Sequence, residues 1–137
     1  MSSQDRSDEI GALLERAKTI AVVGLSDSPL RPSHGVSAYM QHHGYRIIPV
    51  NPNIKGALGE KAVASLGDIK EKIDIVDVFR RSENVPEVVD AAIKMGVSAI
   101  WMQEGVIHEP SAKKARDAGI FVVMDCCILK EHRKRFS

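Results

Sequence analysis

The sequence predicts one three-layer α/β sandwich with a mainly parallel sheet of about five strands, and three observations carry that expectation. Short apolar runs without polar alternation, such as TIAVV at 19–23 and IDIVDVF at 73–79, suit strands covered on both faces. Segments with helical spacing, such as NVPEVVDAAIKM at 84–95, lie between such runs, so strand and helix alternate. The chain of 137 residues is long enough for one such domain and too short for a cofactor domain plus a separate substrate domain. Parallel strands joined by right-handed crossovers give a Rossmann-type arrangement.

The elements follow in order. Residues 8–18 place Ile10, Leu13, Leu14 and Ala17 on one helical face, with Ser7 as the expected N-cap. The first strand, 19–23, stops at Gly24, and a helix is expected near 33–43. RIIPVNP at 46–52 supplies the second strand, and the least regular stretch, 51–68, is expected to carry a short extra one. After the third strand at 73–79, the helix at 84–95 has Pro86 in its first turn and Gly96 as its stop. A strand at 99–102, a helix near 111–118 ended by Gly119, a strand at 120–124 and a last helix from about 128 complete the series.

Composition narrows the function. Hydrophobic residues make up 44% and charged residues 27%, a soluble balance, and a 4% aromatic share leaves the core to aliphatic side chains. A net charge of +1 argues against nucleic-acid binding driven by a basic face. No apolar run reaches the roughly 18 residues a bilayer span requires, and no basic start precedes a signal-like core. The two cysteines, Cys126 and Cys127, are adjacent, which fits reduced thiols in a cytoplasmic protein. No repeat, low-complexity tract or interdomain linker stands out.

In an open parallel sheet, ligands bind at the carboxyl ends of the strands. The residues there are Gly24, Leu25 and Ser26 after the first strand, and Asn51 and Pro52 after the second. Arg80 and Arg81 follow the third, Gln103, Glu104 and Gly105 the fourth, and Asp125 and Cys126 the fifth. This collar suits an anion. Gly24 lets a phosphate approach the backbone, Ser26, Ser28 and Ser33 add hydroxyls, and Arg31 adds a fork of charged donors. The plainer alternative for Arg31 is a solvated loop side chain.

Other features point to less. The G-x-G-x-x-G dinucleotide fingerprint is missing after Gly24, and the second strand ends in Asn51 rather than the acid that grips a ribose diol. NADP and coenzyme A both stay open on charge grounds, although a hydride-transfer enzyme would need more chain. The five histidines match no dependable ligand spacing, so surface or capping roles are expected and no metal. Asp74 and Asp77 form no evident acid pair, Trp101 reads as core, and the cysteines show no activating arrangement. The terminal KEHRKRF reads as a solvated basic helix face.

Together, VVGLSDSPLRPSHGV, YRIIPVNPN, IDIVDVFRRSENVPEVV, IWMQEGV and VVMDCCILKEH resemble the small bacterial single-domain CoA-binding protein family. The chain is also similar to the CoA-binding domain of the succinyl-CoA synthetase α-subunit and of NDP-forming acyl-CoA synthetases. The resemblance implies a Rossmann-like domain that binds coenzyme A or an acyl-CoA. It implies that Gly24 to Ser26 lie near the phosphates with Arg31, that Val50, Asn51 and Pro52 lie near the adenosine, and that Phe79, Arg80 and Arg81 add contacts. The pantetheine arm would pass Gln103, Glu104 and Gly105. MDCCI departs from the family's usual MDRCI, so Cys126 replaces an arginine. That implies either weaker binding or a mixed disulfide between Cys126 and the ligand thiol. The synthetases' further domains and phosphorylated histidine segment are missing, so the expected role is non-catalytic: a sensor, carrier or partner module, with its protein partner unspecified. The alternatives are a small NAD(P)-binding redox enzyme or regulator, and an interaction domain whose cleft is vestigial.

Overall fold

A computed structural model describes residues 3–136, with side chains from residue 6. The strands are β1 (Thr19–Val23), β2 (Arg46–Val50), β3 (Gly56–Ala57), β4 (Glu60–Lys61), β5 (Ile75–Val78), β6 (Ala99–Met102) and β7 (Phe121–Val123). The α-helices are α1 (Ser3–Arg16), α2 (Pro32–His42), α3 (Val85–Met95), α4 (Glu109–Asp117) and α5 (Ile128–Phe136). Five strands form one parallel sheet in the order β2-β1-β5-β6-β7, and β3 and β4 pair antiparallel beside it. The three-layer, Rossmann-like sandwich expected from the alternation is the one observed.

Apolar runs form these strands because both faces are covered. Alternate residues divide between two cores: Ala21, Val23, Val76, Val78, Ile100 and Met102 pack with α3 and α4. Ile20, Val22, Ile75, Ala99 and Trp101 pack on the opposite face with α1 and α5. Continuous hydrophobicity therefore follows from period-two alternation between two buried sides. Asp77 shares the parity of Ile75 and points into the second core, where it is almost wholly buried.

Several boundaries differ from the sequence expectation. α1 starts at Ser3, so Ser7 lies inside the helix instead of capping it, and its hydroxyl accepts from Arg135 Nη2 at 2.7 Å. β5 begins at Ile75 because Asp74 has another partner: its carboxylate accepts from the N–H groups of Lys18 and Thr19 at 2.8 and 3.0 Å. α4 begins at Glu109 because His108 Nδ1 caps it, accepting from Ser111 N–H at 3.2 Å. The irregular stretch yields two two-residue strands instead of one. Gly96 takes φ +68° and ends α3 as expected.

This order places a switch point at β1 and β5. The chain leaves β1 toward β2 on one side and returns to β5 on the other, so the loops after β1 and β5 diverge and leave a crevice at the strands' carboxyl ends.

Candidate functional site

A cleft of about 640 Å³ occupies that crevice. One wall comes from the β1–α2 loop, with Gly24, Ser26, Arg31 and Ser33. Phe79, Arg80 and Arg81 line it after β5, and Gln103, Glu104 and Gly105 line it after β6. A second, smaller cavity of about 250 Å³ lies on the other side of Arg80, with Val23, Val50, Pro52 and Leu66 among its lining residues. Arg80 thus borders both spaces.

The β1–α2 loop is built by its own hydroxyls. Ser33 Oγ accepts from Ser26 N–H and Ser26 Oγ accepts from Ser28 N–H, both at 3.0 Å, while Ser28 Oγ accepts from Leu30 N–H at 3.3 Å. The serines expected to face a ligand therefore also shape the loop. Ser28 lines neither cavity. Gly24 has a packing reason beyond ligand approach: its φ is +90°, and a Cβ there would lie 2.2 Å from the Phe79 carbonyl oxygen. Its N–H donates to Val50 O at 2.9 Å.

The positive features of the cleft lie in α2 and the arginines. α2 opens at Arg31 with no side-chain cap and no acid in its first turn, so its partly positive N-terminus faces the cleft beside Pro32 and Ser33. Among the described residues, no carboxylate pairs with Arg31 or Arg80. Arg81 lies 3.8 Å from Glu83, with both side chains largely exposed, which makes the pair weak. Cations without internal counter-charges at an open helix terminus suit an anionic ligand.

The opposite side of the cleft is tied by hydrogen bonds. Gln103 is buried; its Nε2 donates to Asp77 Oδ1 at 2.5 Å and its Oε1 accepts from Ile128 N–H at 3.4 Å. Burial pushes the Asp77 carboxyl up to about 7, against the lowering effect of the Gln103 hydrogen bond. Gly105 N–H donates to Asp125 Oδ1 at 2.8 Å, joining the loops after β6 and β7, and Glu104 pairs with Lys130 at 3.1 Å.

Like Ser28, the expected site residues Leu25, Asn51, Asp125 and Cys126 line neither cavity. Leu25 is fully buried in the second core. Asn51 braces the loops: its Nδ2 donates to Leu25 O at 3.0 Å and its Oδ1 accepts from Asn53 N–H at 2.9 Å. Cys126 packs its side chain against the second core, and burial raises its thiol pKa. Its neighbour Cys127 lines the cleft, as do Pro32, Val36 and Val106, which sequence reasoning missed. Val36, four residues after Pro32, could have been found from helical spacing; Cys127 and Val106 had no such signal.

Elsewhere, His132 sits on the buried face of α5 and its Nδ1 shares a hydrogen bond with Tyr39 Oη at 2.9 Å, with the His43 ring centroid 4.9 Å away. Burial and then His43 hold its pKa below the ordinary value. No helix among the described residues is long and apolar enough to cross a membrane, and no metal-binding cluster of His, Cys, Asp or Glu occurs among them.

A doubly wound parallel sheet with an arginine-lined crevice at its switch point defines the Rossmann-like class of ligand-binding domains. Within that class, residues 18–133 match the CoA binding domain model, and the chain belongs to the CoA binding domain family. It is 50% identical over 124 residues to the Bacillus subtilis (strain 168) protein YneT, covering 90% of this chain and 92% of that one. A hypothetical protein from Pyrococcus horikoshii OT3 is 37% identical, with a TM-score of 0.93 over 96% of this chain and 92% of that one. A Thermus thermophilus protein is 42% identical, with a TM-score of 0.90 over 95% and 98%. The fold also recurs in a dinucleotide-forming acetyl-coenzyme A synthetase from Ca. Korarchaeum cryptofilum, at 22% identity and a TM-score of 0.69, over 79% of this chain and 26% of that one.

Proposed function

We propose that this protein is a non-catalytic module that binds coenzyme A or an acyl-CoA in the cleft at the β1–β5 switch point, as a sensor, carrier or partner domain. The observation that carries the reading is the continuity of the cleft, which joins the open α2 terminus and Arg31, Arg80 and Arg81 to the polar collar of Gln103, Glu104 and Gly105 in a member of the CoA binding domain family. Coenzyme A has the matching chemistry. Its pyrophosphate and ribose 3′-phosphate call for cations and helix N–H groups, and its long amide arm calls for a polar channel. The adenine would take the smaller apolar cavity beside Val50 and Pro52, with Arg80 between base and phosphates. A ribose held through its phosphate does not require the acid that Asn51 replaces.

Calorimetric titration of the reduced protein tests this, with CoA, dephospho-CoA and NADP in parallel. Saturable CoA binding that weakens without the 3′-phosphate is expected. Arg31→Glu and Arg81→Glu should each weaken CoA at least about tenfold, since losing a charge-assisted contact costs about 1.5–3 kcal/mol. Absence of CoA binding, or two folded variants that bind as the parent does, would overturn the site. Tighter NADP binding with turnover would favour a redox enzyme.

A further inference from the structure

Resting on the CoA reading, we infer that Cys127 is the position at which this protein forms a mixed disulfide with a thiol-ended ligand held in the cleft, and that adjacent Cys126 takes no part. The fold separates the two thiols. Cys126 gives its backbone to the scaffold: its N–H donates to Met102 O at 3.2 Å, and its carbonyl accepts from the Trp101 indole at 2.9 Å. Its partly buried side chain packs against the second core. On the other flank, Ile128 N–H is tied to Gln103 Oε1. Cys127 stands between these anchored neighbours, half-buried, and lines the cleft.

The reach across the cleft suits a thiol at the end of the CoA arm. β1 and β7 are separated by three strand spacings, through β5 and β6. At about 4.8 Å each, the span from the anion pole after β1 to the loop after β7 is roughly 14 Å. The arm of coenzyme A from its phosphate to its sulfur runs through about 13 bonds. At the extension of a peptide backbone, three bonds cover about 3.5 Å, so the arm spans roughly 15 Å. A ligand anchored by phosphate at Arg31 and the α2 terminus therefore brings its sulfur to the pole that holds Cys127, and Arg31 and Cys127 line the same continuous cavity.

The step is thiol–disulfide exchange with the symmetrical disulfide of coenzyme A as oxidant. The Cys127 thiolate attacks one sulfur of that disulfide, a Cys127–S–S–CoA bond forms, and the original S–S bond breaks. The departing CoA thiolate takes the proton that Cys127 released. Cys127 is oxidised and one CoA is reduced, with no further electron acceptor. An acyl-CoA has no free sulfur and would not react in this way.

The test treats the reduced full chain with CoA disulfide, and separately with cystamine, which has no phosphate, and reads adducts by intact mass and peptide mapping. An adduct of one CoA per chain is expected on Cys127, reversible by dithiothreitol, kept in Cys126→Ser and lost in Cys127→Ser. Cleft occupancy presents the disulfide at an effective concentration on the order of 1 mM, so the reaction should run about tenfold faster than with about 0.1 mM cystamine, and free CoA should slow it. Mapping on the parent chain decides the site even if a variant folds poorly. An adduct on Cys126, or equal rates with both disulfides and no slowing by CoA, overturns the inference. No adduct in a protein that calorimetry shows to bind CoA overturns this inference alone; no CoA binding overturns the binding reading with it.

Discussion

Replacing Asp77 by asparagine removes the charge from the carboxyl most deeply buried among the described residues while keeping an oxygen that can accept from Gln103. Burial raises the Asp77 pKa from 3.8 to about 7. Between those values the native state keeps a proton that the unfolded chain has released. Stability contributed by the neutral acid is therefore complete below about pH 4 and falls as pH rises toward about 7. A shift of about three units, at about 1.4 kcal/mol each, sets the loss at up to about 4 kcal/mol. Urea unfolding of parent and Asp77→Asn at pH 4, 6 and 8 isolates this contribution, because other titrating groups cancel in the difference. The variant should gain on the parent from pH 4 to about 7 and level off by pH 8. Stability curves that stay parallel across that range would refute the claim that Asp77 is held neutral. The outcome matters for the cleft because Asp77 fixes the amide of Gln103, which lines it.

Further expectations follow from particular contacts. Gly24→Ala places a Cβ 2.2 Å from the Phe79 carbonyl at φ +90°, and should cost about 2–4 kcal/mol, or roughly 10 °C in Tm by calorimetry; a loss under about 1 kcal/mol would contradict this geometry. The His132 pKa is lowered, so its contribution has the opposite sign to that of Asp77: stability is complete above the ordinary histidine value and declines as pH falls below it. His132→Gln should therefore lose less stability than the parent between pH 7 and 5, and an equal loss in urea titrations would count against the buried neutral imidazole. With the arginine and cysteine variants above, these measurements separate the scaffold from the arginine-lined and Cys127 sides of the cleft.

How much of this was legible beforehand depends on the range of the interactions. Strand and helix order could be read because it rests on local periodicity: TIAVV and the 84–95 face require burial whatever their neighbours are. Helix starts were less legible. α4 begins at Glu109 because His108 caps it, and α1 runs past Ser7 because Arg135, 128 residues away, engages that hydroxyl. The collar of strand-end residues was legible because topology alone sends every such loop to one edge of a parallel sheet. The roles within it were not: Leu25 turns into the core and Asn51 braces a loop, both through long-range packing.

Sequence alone therefore determined the class of the domain, the strand-end loops that border its cleft and the cationic nature of that cleft. Those properties are additive, following from the period and charge of short segments. Only the tertiary structure decided that Asp77 is buried against Gln103, that Arg80 borders two cavities and that Cys127 rather than Cys126 lines the cleft. Each depends on which way one side chain turns after its loop is tied to residues far along the chain. Neighbours in sequence such as these two cysteines are distinguished only when the hydrogen bonds of Met102, Trp101 and Gln103 hold the backbone around them.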